Sequence, residues 1–172
     1  MILAPFILTL LAYPVLCPLA LSVPANVMRK GENVMGGVVL IEDAPVARDY
    51  LAAALNADPE ILLLTSCADV AQAVTALSSE PASVVVAGYH PPHTSGLDIA
   101  AQVRAVRDVP VVLIYQGWAE TDAALAALAE QAQHAGVIGV LRGPLGMGSA
   151  ARANFFRGLR AAVKRATPVV VA

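Results

Sequence analysis

The chain predicts an α/β domain built on a doubly wound parallel sheet, and three observations carry that expectation. Short runs of β-branched and aliphatic residues recur five times between residues 37 and 141. Each run is followed by a segment with helical apolar spacing. The connections between them are short and rich in Pro, Gly, Asp and Ser, as turns require.

The elements follow in order. Val38-Val39-Leu40-Ile41 is the first strand. Pro45 suits a first helical turn, and Val46, Leu51 and Leu55 mark an apolar face through Asn56. Asp58-Pro59 makes a turn, and Ile61 to Leu64 is the second strand. Asp69, or Ser66 before it, caps a helix carrying Val70, Val74 and Leu77, which Glu80-Pro81 ends. The third strand, Val84 to Val86, runs to Gly88 and opens into the broken loop Tyr89-His90-Pro91-Pro92-His93-Thr94-Ser95-Gly96. Leu97, Ala100, Ala101 and Val103 begin the third helix, and Val109 to Ile114 form the fourth strand. Glu120 to Gln133 is helix-forming, and Val137 to Leu141 is a fifth strand interrupted by Gly139. The last helix runs from Ser149 to about Arg165, with Phe155, Phe156, Leu159 and Val163 inward.

Strands this apolar are expected to be buried on both faces of a parallel sheet. The pattern is that of a flavodoxin-like (βα)5 fold with strand order 2-1-3-4-5. Ligands in such sheets gather at the carboxyl ends of the strands. Those ends are Glu42-Asp43, Gly88, Tyr115 and Arg142-Gly143.

Only 14% of the 172 residues are charged, against about 25% in an average soluble domain. A formal net charge of −2 offers no general attraction to nucleic acid. Beyond Glu130 the chain is basic, with Arg142, Arg152, Arg157, Arg160, Lys164 and Arg165. These either meet an acidic partner or anionic lipid, or form a solvated face that complements a helix C-terminus. Cys17 and Cys67 have no metal or disulfide spacing. They read as small apolar residues, which fits a reducing compartment.

Residues 1–36 form a separate apolar segment, 37–166 the folded unit and 167–172 a tail. Residues 2–28 are long enough to span a bilayer, and Arg29-Lys30 after them would leave the rest in the cytoplasm, anchored to the inner face of the membrane. Pro14, Pro18 and Pro24 oppose a helix there. The other readings are a start misplaced upstream of Met28 or Met35, and a signal peptide without its basic region.

Several short motifs, in order, resemble a response-regulator receiver (CheY-like) domain. Val39-Leu40-Ile41-Glu42-Asp43 looks like its first strand and acidic pair. Arg48, Leu51, Leu55 and Asp58-Pro59-Glu60-Ile61 are similar to the first helix and turn of NarL/FixJ-type regulators and chemotaxis methylesterases. Pro92 and Gly96 match the loop after the third strand, Val109-Pro110-Val111-Val112 the fourth strand, and Gly136 to Leu141 the fifth.

The resemblance implies a place in two-component phosphorelay signalling, and the departures from it define the expected function. The phosphoacceptor aspartate of a receiver falls at Gly88, the Ser/Thr that ends the fourth strand at Tyr115, and the Lys before the proline at Gly143. Aspartyl phosphorylation needs a carboxylate nucleophile, carboxylate-held Mg²⁺ and a cation and hydroxyl for the product charge. Glu42 and Asp43 remain as weak Mg²⁺ ligands, or as solvated loop acids. His90 and His93 lack the further ligands of a metal pair. Tyr115 either fills the vacated space or joins Trp118 in a partner surface.

The expected function is therefore that of a pseudo-receiver: not an enzyme, needing no cofactor, and working by contact with a histidine kinase, regulator or effector, or with its own copy. The alternatives are a phosphorelay receiver that uses Thr94 or Ser95, and a remnant of a two-domain transcriptional regulator or chemotaxis methylesterase. Thr167 to Ala172 leave no room for a DNA-binding or methylesterase domain within this sequence. An alternative flavin site is opposed by Glu42-Asp43, whose charge repels phosphate.

Overall fold

A computed structural model describes residues 37–90, 95–117, 121–144 and 146–167. Ten elements alternate: β1 (Gly37–Ile41), α1 (Pro45–Asn56), β2 (Leu62–Cys67), α2 (Val70–Ser79), β3 (Ala82–Tyr89), α3 (Gly96–Val106), β4 (Val111–Tyr115), α4 (Asp122–Gln133), β5 (Val137–Arg142) and α5 (Ser149–Ala166). The sheet is parallel, in the order β2-β1-β3-β4-β5.

Alternation along the strands divides the core in two. Val39, Ile41, Val85, Ala87, Val111 and Leu113 pack on one face with Leu77 of α2, Val103 of α3 and Ala132 of α4. Val38, Leu40, Val84, Val86, Val112 and Ile114 pack on the other with Leu51 and Leu55 of α1 and Leu159 and Val163 of α5. Each of these Val, Leu and Ile side chains taken from water contributes roughly 1.5–3 kcal/mol.

Helix starts follow local chemistry. Asp69, rather than Ser66, caps α2 by accepting from the Gln72 amide at 2.8 Å. Ser95 and Thr121 cap α3 and α4 in the same way. Pro45 occupies the first turn of α1, which has no side-chain cap. Gly136, at φ +78°, makes the turn into β5.

Two expectations change. β3 runs on through Gly88 to Tyr89, because the β3–β4 ladder continues to Tyr89 opposite Tyr115. The outer strands are not buried on both faces: Leu62 of β2 and Ile138 of β5 are about half exposed, since each strand has a neighbour on one side only. On α5, Phe155, Leu159 and Val163 are buried, joined by Ala162, and half-buried Phe156 packs against the same core while resting on Tyr50 of α1, ring centres 5.3 Å apart. Among the described residues, no helix is long and apolar enough to cross a membrane. Residues 2–28 lie outside them.

Candidate functional site at the strand tips

Strand register places the site. Ile41 pairs with Ala87 and Tyr115 with Arg142. The next residues, Glu42 beside Gly88 and Gln116 beside Gly143, therefore meet where the strands end. Each pair joins a long polar side chain to a glycine.

Glu42 is fully buried, at 0% exposure. Its carboxylate lies over Gly88, where a Cβ would collide with Oε2 and sit 2.9 Å from Cδ. Gln116, 7% exposed, fills the place beside Gly143, whose Cβ would collide with the Gln116 amide oxygen and lie 2.8 Å from its Cδ. The two side chains then join: Gln116 Nε2 donates to Glu42 Oε2 at 3.2 Å. Glu42 Oε1 accepts from the Ala44 amide at 3.2 Å and lies 2.9 Å from His90 Nε2. Backbone bonds hold the frame: the Glu42 amide donates to Cys67, that of Gln116 to Tyr89 and that of Gly143 to Tyr115. Arg48 grips the Glu42 carbonyl at 2.8 Å.

The expected site residues fare differently. Glu42 is not a solvated loop acid, because β1 delivers it into the space above Gly88. Asp43 is exposed, with its Oδ1 3.0 Å from His90 Nε2. His90 faces these two acids. His93, Thr94, Pro92 and Trp118 lie outside the described residues. Tyr115 does not belong to a partner surface: it is 3% exposed and packs edge-on against Tyr89, ring centres 5.6 Å apart. Nor does it lie over Gly88, which Glu42 covers. Ser95 is engaged as the α3 cap, and Asp98 lies in the first turn of that helix. Sequence reasoning passed over Gln116. The available signal was volume: two glycines at positions where receivers carry an aspartate and a lysine leave space that neighbouring residues must fill.

Mg²⁺ fits this arrangement poorly. It requires a near-octahedral shell of oxygens. The Gly88 side chain offers none, and the third group converging on the acids is an imidazole nitrogen instead of an oxygen. Cys67 faces the core, and burial pushes its thiol pKa up despite a hydrogen bond with Thr65. Of the basic residues near the C-terminus, Arg142 pairs with Asp122, Arg160 and Lys164 with Asp58, and Arg152 stacks over Tyr50.

No family model matches the chain. It is 30% identical over 114 residues to the protein-glutamate methylesterase/protein-glutamine glutaminase of Nitrosospira multiformis, a match covering 66% of this chain and 31% of that protein. A second such protein, from Anaeromyxobacter dehalogenans, is 28% identical over 134 residues, 78% of this chain and 38% of its own length. The chain thus spans about a third of the length of these curated relatives. Among solved structures, the response regulator domain of Thermotoga maritima CheB superposes with a TM-score of 0.62 at 17% identity, covering 77% of this chain and 96% of that one. The signal receiver domain of NarL from Mycobacterium tuberculosis gives 0.55 at 23% identity, covering 76% and 97%. Fold, motif order and these matches together give the described residues the fold of a CheY-like receiver domain, with sequence similarity to the chemotaxis methylesterases.

Proposed function

We propose that this chain is a pseudo-receiver: a regulatory, non-catalytic domain that signals by protein contact and is not phosphorylated on an aspartate. The observation that carries the reading is the Glu42 carboxylate lying over Gly88. The acceptor is missing, and its place is filled by a buried group of the same charge as an incoming phosphate. Gln116, a neutral amide, fills the space at Gly143, where a receiver has its phosphate-pairing Lys. The partner is a signalling protein (a kinase, regulator or effector) or a second copy, engaged through α4, β5 and α5. Half-exposed Ile138 on edge strand β5 supports that face.

Incubation with acetyl phosphate and Mg²⁺ tests the proposal. No hydroxylamine-sensitive adduct is expected on the full chain, and one would overturn the reading. Gly88→Asp alone is also expected to stay unmodified, because the new side chain collides with Glu42. Shortening Glu42 to Asp in the same protein provides the space a new acceptor needs.

A further inference from the structure

The geometry points to a divalent transition-metal site, of the Zn²⁺ class, formed by Glu42, Asp43 and His90. One donor atom from each, the two carboxylate oxygens and the imidazole nitrogen, lies within 4.8 Å of the others. His90 Nε2 is 2.9 Å from Glu42 Oε1 and 3.0 Å from Asp43 Oδ1. Donors bound at about 2.0–2.2 Å to one tetrahedral ion lie about 3.3–3.6 Å apart, so the two imidazole–carboxylate contacts need to open by only about half an ångström to receive it. A single Nε2 proton facing two carboxylates from different residues serves one of them well. A dication in its place serves both.

Ligand chemistry selects the ion. Two carboxylates alone would suit Mg²⁺ or Ca²⁺, whereas an imidazole favours Zn²⁺, Ni²⁺ or Cu²⁺. Glu42 forms a buried floor, while the side chains of His90 and Asp43 are 26% and 60% exposed, leaving a path for the ion and its remaining water ligands. Gln116 backs the buried floor of the pocket. Its amide, nearly buried, lies on Glu42, and its Oε1 has no hydrogen-bond partner among the described residues. The ligands come from the ends of adjacent strands β1 and β3, so a bound ion ties those junctions together. This site does not depend on the absence of aspartyl phosphorylation.

Isothermal titration of the full chain with ZnCl2, then with MgCl2, tests the assignment. One Zn²⁺ per chain is expected, undisturbed by a large excess of Mg²⁺. His90→Gln and Asp43→Asn should each weaken binding about tenfold or more, with far-UV circular dichroism unchanged. His134→Gln, at the end of α4, should bind like the parent. Co²⁺ added instead should give a visible absorption band that His90→Gln loses. Equal Zn²⁺ affinity in the parent and His90→Gln, or displacement of Zn²⁺ by equimolar Mg²⁺, would overturn the site.

Discussion

Two carboxylates at opposite ends of the sheet have similar company and different standing. Glu42, at the carboxyl end of β1, faces a histidine, an amide side chain and a backbone N–H, all within the protein. Asp58, in the turn before β2, faces Lys164 at 2.8 Å, Arg160 at 3.9 Å and the Glu60 amide at 3.1 Å, with water at hand. Lys164 also pairs with Glu60. Burial pushes the Asp58 pKa up, but the hydrogen bonds from Lys164 and Glu60 and the charges of Lys164 and Arg160 outweigh it and hold the carboxyl below its ordinary 3.8. The surface group can exchange partners for solvent. The buried one cannot, so its neighbours are fixed along with it.

Removing each group should widen that contrast. Glu42→Ala is expected to cost about 3 kcal/mol, because it strands the Gln116 amide and the Ala44 N–H and leaves a void over Gly88. Urea denaturation measures it; a loss under about 1 kcal/mol would mean that water replaces the carboxylate. Asp58→Asn should cost about 1 kcal/mol at neutral pH. A depressed carboxyl pKa stabilises the fold above the unfolded value and loses that contribution as pH falls through the folded one. The gap between parent and variant should therefore close below pH 3.8. It should narrow at the alkaline end: the hydrogen bonds with Asp58 and Glu60 raise the Lys164 pKa above 10.5, and deprotonation there removes this pair while Arg160 stays charged. Thermal melts across pH would show both limits, and a gap independent of pH would remove the ion pair from the account. The smallest effect tests neither cluster. Gly158 lies in α5 with nothing within 4 Å of an added Cβ, so Gly158→Ala should add about 0.5–1 kcal/mol and serves as the reference for helix propensity alone.

The Asp58 cluster is partly legible in the sequence, since Asp58-Pro59 marks a turn and Lys164 lies on a helix with an identifiable inner face. The sheet order follows from five β-branched runs with short connections, and Gly88 can be located by counting back from Pro92 and Gly96. What the sequence hides is which strand tips lie side by side. Glu42 reads locally as half of an acidic pair, and only the β1–β3 register shows that it covers a glycine. His90 suggests His93 by proximity, yet its partners are 48 and 47 residues away, at Glu42 and Asp43. Tyr115 at a strand end looks presentable to solvent, but alternation directs its ring into the α2–α3–α4 side of the core.

The interlock of Gly88 with Glu42 also bears on the substitutions open to this protein. Restoring an aspartate at 88 first meets a collision, and shortening Glu42 first gives up contacts while gaining no acceptor. The two positions are therefore coupled: a side chain at 88 moves the Glu42 carboxylate, and with it the hydrogen bonds to Ala44 and Gln116, so a change on one strand sets what its neighbour can accept.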